Sequence, residues 1–322
     1  MKVLSIALND NGQQSYLLAK AMRDYLDWDA RSITFSGSYL NFPTDWTAKN
    51  VDEALAFAQD ADLLIFQDAM IWDENFDVRK LAGPRNTIIN GTGSMMRRQL
   101  NDMLMMQYRG WVVVPPLCDE TLSSKMMGIP FENWIVPTDT INELTRGIVP
   151  PDDIVCICHA PTKKAVKGTE MIESILEPMI ERGDIKYTRI EGMSWEEALR
   201  EKAKNHIVLD SFGNLTATYG AGNALEGLAL GQTVISKISP WAYALHPDLP
   251  MTTTFGKDIK EVVEGEVNWR TGYKIYGDNE IHLNTVGWNK NWVQKHFSPQ
   301  IQMDKWKHFI HWMMTRETEG GF

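Results

Sequence analysis

The chain has 322 residues, a formal net charge of −10 and an isoelectric point near 5.2. That length exceeds one ordinary hydrophobic core and predicts two domains. The acidic balance excludes a protein that coats nucleic acid or anionic membrane through its overall field, while leaving room for a local basic pocket.

Short apolar runs of strand length alternate with longer amphipathic stretches. The run VLSIAL (3–8) leads through NDNG into QSYLLAKAMRDYL, RSITF (31–35) precedes VDEALAFAQ (51–59), and DLLIF (62–66), NTIIN (86–90) and WVVVP (111–115) continue the series. The segment TRGIVPPDD (145–153), with two adjacent prolines, suits a linker. The pattern then restarts with DIVCICHA (153–160), IKYTRIE (185–191), HIVLD (206–210) and QTVIS (232–236). Strands alternating with helices give βαβ units and parallel sheets. The fold class expected is α/β, two Rossmann-like doubly wound domains over 1–148 and 152–285, followed by C-terminal helices over 286–322. The second of these helices opens with Ser298 as N-cap and Pro299 at its first position. Trp306, Phe309, Ile310 and Met313 share one helical face, which predicts packing back across both domains rather than stacking on nucleic acid. MKVLSIALND reads as a first strand, not a secretion signal, and no segment approaches the roughly 18 to 20 apolar residues of a membrane span. Three cysteines, Cys118, Cys156 and Cys158, two of them on one face of one strand, suit a reducing cytosol.

Chemistry concentrates in two loops after strands of the second half. In open parallel sheets ligands bind beyond the carboxyl ends of strands. HAPTKKAVKGTE (159–170) is such a loop: Lys163, Lys164 and Lys167 offer ammonium charge to an anion, and Gly168 lets the backbone come close before a helix N-terminus. A second loop, in HIVLDSFGNLTATYGAGNALEGLALG, runs through Tyr219, Gly220 and Ala221 into a helix opening at Gly222 and Asn223. Its amides aim at the same anion, a diphosphate. Glu226, in the first turns, is placed to accept hydrogen bonds from a ribose diol. A solvated basic loop and an ordinary surface glutamate are the bland alternatives.

Together HAPTKKAVKGTE and YGAGNALEGLALGQTVIS resemble the donor-binding half of GT-B glycosyltransferases, in particular the retaining, family 4-like group; the resemblance spans about 153–238. It implies that Lys164 and Lys167 contact the diphosphate of a nucleotide sugar, UDP- or GDP-linked, that Gly220 and Gly222 shape the loop, and that Glu226 binds the ribose. Many members carry a second glutamate eight residues earlier that touches the sugar; this chain has Thr218 there.

The first domain is expected to hold the acceptor. Asn11, Gly12 and Gln13 follow the first strand, and Ser94 and Arg97 enter a later helix through a glycine-serine turn similar to the family's. All seven histidines lie at or after His159, so only carboxylates such as Asp10 and Asp68, at strand ends, can act there as a general base. The resemblance implies retention instead, in which the leaving diphosphate takes the acceptor proton. His159 is either a donor contact or a strand-end histidine satisfied by backbone. No metal is expected: Asp27-Trp28-Asp29 matches the letters of a cation-binding motif but lies away from any strand's carboxyl end, and lysines with a helix dipole neutralise a diphosphate. No cofactor is required beyond the nucleotide-sugar substrate. Acceptors in view are a glycan, a lipid-linked sugar or, since phage enzymes that add sugars to DNA share this fold, a hydroxymethylated base of phage DNA. The rivals are an inactive nucleotide-sugar-binding protein and a nucleotide-sugar epimerase.

Overall fold

The structure, a computed structural model, describes residues 1–10, 12–37, 40–67, 71–73, 76–77, 86–91, 99–114, 132–213, 222–276 and 279–315. It divides into two compact units, Met1–Ile135 with Phe297–Phe322, and Val136–His296.

The first unit contains β1 (Lys2–Ala7), α1 (Gln14–Leu26), β2 (Asp29–Thr34), β3 (Trp46–Thr47), α2 (Val51–Ala58), β4 (Leu63–Gln67), a small antiparallel ribbon of β5 (Ile71–Asp73) and β6 (Phe76–Asp77), β7 (Thr87–Asn90), α3 (Leu100–Tyr108) and β8 (Val112–Val114). Its main sheet is parallel in the order β3-β2-β1-β4-β7-β8, so the order reverses direction between β1 and β4. Both faces are covered, which the period-2 strand geometry makes visible residue by residue. Leu63 and Ile65 face one core with Val3, Ile88 and Val112, while Leu64 and Phe66 face the other with Leu4, Ile6, Ile89 and Val113. The expected apolar face of the C-terminal helix, Trp306, Phe309, Ile310 and Met313, belongs to the first of these cores, packed on α1.

The second unit contains α4 (Thr138–Leu144), β9 (Val155–His159), α5 (Lys164–Lys167), α6 (Thr169–Glu181), β10 (Ile185–Arg189), α7 (Trp195–Ala203), β11 (Ile207–Leu209), α8 (Gly222–Ala229), β12 (Thr233–Ser236), α9 (Pro240–Leu245), β13 (Met251–Thr253), α10 (Ile259–Tyr276) and α11 (Asn279–Phe297); α12 (Pro299–Thr315) then returns to the first unit. Its parallel sheet runs β10-β9-β11-β12-β13, with the reversal between β9 and β11. Helix α8 lies close on this sheet because Gly227 has no side chain: a Cβ there would sit 3.0 Å from Val234 and 3.1 Å from Val208.

The unit boundaries differ from the sequence expectation of 148 and 152. Helix α4 packs on α7 and α8, so the chain leaves the first unit at Ile135, upstream of the prolines. The long α11 belongs to the second unit up to His296, held by Asn289 Nδ2 donating to the Gln232 carbonyl at 2.8 Å. Only the segment from Phe297 onward is grouped with the first unit, with Pro299 at the first position of α12 and the Ser298 carbonyl taking its first helical bond.

Candidate functional site

In the second unit the switch point is flanked by the loops after β9 and β11, and their backbones are in contact. Gly168 closes α5 in the left-handed region at φ 73°, and its Cβ position is 3.0 Å from the Gly213 nitrogen. A Cβ on Gly213 would be 2.1 Å from the Val166 carbonyl oxygen, inside van der Waals contact, so no other residue fits without displacing backbone. The Phe212 N–H donates to the Lys167 carbonyl at 3.0 Å. The lysine loop and residues 212–213 after β11 are thereby one surface.

Beneath that surface lies Asp210, 1% exposed. Lys167 Nζ and Asn223 Nδ2 donate to its Oδ1 at 2.8 and 2.9 Å, and Ser236 Oγ approaches Oδ2 at 3.4 Å. Burial alone would raise its carboxyl; the Lys167 ammonium, its hydrogen bond and Asn223 outweigh that and hold it below the ordinary carboxylate range. Lys167 is therefore the countercharge of a buried aspartate as well as a member of the basic loop. His159, the last residue of β9, is fully buried, with Nδ1 2.7 Å from the Leu209 carbonyl and Nε2 2.9 Å from Thr169 Oγ1. Burial lowers its basicity. With both nitrogens engaged, the ring ties β9 to β11 and to the start of α6, and the geometry corresponds to the backbone-satisfied alternative rather than to a catalytic role.

Glu226, on α8, accepts from the Trp195 indole Nε1 at 2.8 Å through Oε1 and pairs with Lys202 through Oε2. Lys202 is only 5% exposed at its side chain. Trp195 opens α7, which a reciprocal Ser194–Glu197 capping box fixes. Each carboxylate oxygen has more than one acceptor direction, so a carboxylate held on two sides can still receive ribose hydroxyls. Lys163 precedes α5 in extended conformation and is exposed, and Lys164 is exposed with a 3.2 Å pair to Glu191. These two, not Lys167, are the solvent-exposed charges of the loop.

Sequence reasoning missed Asp210, Trp195 and Lys202. The signal for Lys202 was present: it falls three residues after Leu199 on the buried face of α7, a charge where the helical period calls for an apolar residue. Tyr219, Gly220 and Ala221, with Thr218, lie outside the described residues. So do Asn11, Asp68, Ser94 and Arg97.

In the first unit, Asp10 follows β1 at the switch point of that sheet. It is 5% exposed, and its two oxygens accept from the backbone N–H of Ser15 and Tyr16 at 2.9 and 3.0 Å, anchoring the start of α1. Burial, partly opposed by these bonds, raises its carboxyl to about 6. Gln13 adopts φ 58° and donates its N–H to the Asp10 carbonyl at 2.8 Å. A Cβ on Gly12 would approach the Trp134 ring at 3.2 Å, and Gln14 bridges to both backbone groups of Ile135. Residues 12–14 are thus braced against Trp134 and Ile135. Asp27 sits in a left-handed turn ending α1, and Asp29 opens β2 at its amino end, away from this edge.

No family model matches the chain, and no curated protein does. Solved structures do. An alpha-glucosyltransferase in complex with UDP and a 13-mer DNA aligns with a TM-score of 0.65 at 11% identity over 97% of this chain and 100% of that one. Anabaena Alr3699/HepE in complex with UDP and glucose gives 0.61 at 11% identity, over 97% and 99%. A protein described as a UDP-N-acetylglucosamine 2-epimerase of Listeria monocytogenes gives 0.54 at 11% identity, over 100% and 99%. The chain has the GT-B fold, with two Rossmann-like units.

Proposed function

We propose that the protein is a glycosyltransferase whose second unit binds a nucleoside diphosphate sugar, UDP-linked, and whose first unit carries a hydroxyl acceptor. The observation that carries this reading is the convergence at the β9/β11 switch point of a basic loop, Lys163 and Lys164, with a glutamate preset by Trp195 and Lys202 one turn into the helix that follows the other loop. The loops supply charge where the leaving diphosphate develops it; Glu226 takes the ribose. Two structural neighbours solved with UDP support the uridine choice. In this reading transfer is retaining and metal-independent, with the leaving diphosphate taking the acceptor proton, and Asp10, only 5% exposed, serves to fix the start of α1. The neighbour solved with DNA supports trying DNA first as the acceptor, a hydroxymethylated base among its candidates, ahead of glycans and lipid-linked sugars.

The test separates three outcomes. UDP-glucose should raise the melting temperature with the logarithm of its concentration. Glu226→Gln should weaken UDP binding by about 1.5 to 3 kcal/mol, the range for bonds to a charged acceptor, and also destabilise the fold by stranding Lys202. Adding Lys202→Met should restore stability while leaving binding weak. Binding without transfer to any acceptor class would favour the inactive binder for which Thr218 speaks. Inversion at the donor sugar without acceptor would favour the epimerase that the Listeria neighbour brings to mind. UDP affinity unchanged in Glu226→Gln would refute the ribose assignment.

A further inference from the structure

A second cluster of chemically capable side chains lies in the second unit, drawn from parts of the chain with no place in the donor site. Ser239 caps α9, accepting from the Trp241 N–H at 3.2 Å, with Pro240 at the helix start. The helix stops at Leu245 because Pro247 follows. The Leu249 N–H then donates to the His246 carbonyl at 3.0 Å and closes a turn that presents His246 and Asp248 two residues apart. The third member, His296, comes from the last turn of α11, and His296 Nε2 is 3.8 Å from Asp248 Oδ2.

One ligand atom from each of the three lies within 4.8 Å of the others. That spacing is informative. A direct nitrogen–oxygen hydrogen bond needs about 2.7 to 3.2 Å, so His296 and Asp248 stand too far apart to bond well to each other. A tetrahedral ion with bonds of about 2.0 to 2.2 Å holds its ligands roughly 3.4 Å apart, a value within reach through small side-chain rotations. The rings of His246 and His296 meet edge to face at a centroid distance of 4.8 Å, so the two imidazoles are not stacked in a plane. Trp292, 3% exposed and one turn before His296, packs against both histidines at 5.3 and 4.9 Å. Its ring gives the cluster a water-poor wall on one side. Asp248, more exposed than either histidine, gives an entry path on the other.

We propose that His246, Asp248 and His296 form a divalent metal site suited to Zn²⁺, with water as the fourth ligand. Two imidazoles and one carboxylate are a donor set that zinc accepts, and nitrogen ligands disfavour magnesium or calcium. Lys295, whose amine is 3.6 Å from Asp248, is largely exposed, and an exposed pair of this kind costs little to give up to an ion. The site pins the 246–249 turn to the end of α11, and His296 is the last residue before the chain returns to the first unit. The role is structural, at the point where the chain leaves one unit for the other, and it stands independently of the glycosyltransferase reading.

The experiment uses full-length protein stripped with chelator and titrated with Zn²⁺ by calorimetry, and with Co²⁺ by visible absorption. Expected are one ion per chain at micromolar or tighter affinity, a Co²⁺ spectrum of nitrogen and oxygen ligands, and a rise in melting temperature on adding Zn²⁺. His296→Gln and Asp248→Asn should each weaken binding at least tenfold, whereas His308→Gln with His311→Gln, on exposed positions of α12, should not. Failure of Zn²⁺ to bind at 100 μM, equal affinity in the ligand variants, or thiolate bands in the Co²⁺ spectrum that place the ion on cysteine would each overturn the site. Because the wild-type stoichiometry and spectrum decide between these outcomes, a variant that fails to fold leaves the test intact.

Discussion

Lys164 and Lys167 are three positions apart on the same loop and read alike in sequence, yet burial separates their roles. Lys167 is 14% exposed at its side chain and faces a carboxylate with almost no access to water; Lys164 is 55% exposed and faces a partly exposed one. Removing one partner of a buried pair strands the other and costs about 3 to 5 kcal/mol, whereas exposed pairs contribute about 0 to 1 kcal/mol. Lys167→Ala is therefore expected to lower unfolding free energy by about 3 to 5 kcal/mol in denaturant titrations, and Lys164→Ala to leave it within about 0.5 kcal/mol while slowing transfer. Equal stability in the two variants would contradict the assignment of Lys167 to Asp210. The sign of the pH response follows from the same pair. Asp210 is held below its ordinary range in the fold, so its stabilisation is present above about 3.9, the unfolded carboxylate value, and is lost as pH falls through the lower folded value. What the sequence displayed was the lysine cluster and Glu226. What it hid was which lysine would be buried, because the partner, Asp210, is 43 residues away and meets it only through the order of β9 and β11.

At the scale of elements, two local devices set the loops that carry the site, and each has a measurable consequence. Gly213 allows the loop after β11 to touch the carbonyl of Val166; Gly213→Ala is expected to force the two loops apart, lowering stability by about 1 to 3 kcal/mol and UDP affinity in parallel. A loss of stability with unchanged UDP affinity would disconnect the loops from the ligand. Asp10 is the corresponding device at α1. Its carboxyl is raised from 3.8 to about 6 in the fold, so the folded state binds the proton more tightly than the unfolded one. Stability from this group is full below about 3.8 and is lost as pH rises through about 6, a drop of about 3 kcal/mol at 1.36 kcal/mol per unit. Asp10→Asn should flatten the stability profile between pH 4 and 7; an unchanged slope in that variant would assign the dependence to another group. Elements were legible wherever apolar period and length agreed, as in β1, β4, β7, β9 and β12. The two-residue β3 and three-residue β13 are too short to show a period, and their strand character comes from pairing with β2 and β12.

At the scale of the whole molecule, the two units differ in how the chain supplies them. The second is a single segment, Val136–His296, while the first needs both Met1–Ile135 and the returning piece from Phe297. The reason is the face of α12: Met303, Trp306, Phe309, Ile310 and Met313 complete the same core as Leu17, Leu18 and Met22 on α1, and Trp306 is fully buried there. A bulky aromatic removed from such a core costs about 3 to 5 kcal/mol, and losing the entire helix exposes an apolar face large enough to drive association. A chain comprising only 136–296 is therefore expected to fold cooperatively and to bind UDP with an affinity near that of the full protein, since the residues assigned to diphosphate and ribose lie within it. A chain ending at 135 is expected to aggregate, and to become soluble with a sharp melting transition when a peptide of residues 297–322 is supplied. Circular dichroism melts and UDP titration of the separate pieces decide the matter. Failure of 136–296 to bind UDP while melting cooperatively would mean that the first unit contributes to the donor, and a soluble, cooperative 1–135 would mean that α12 is dispensable to that core.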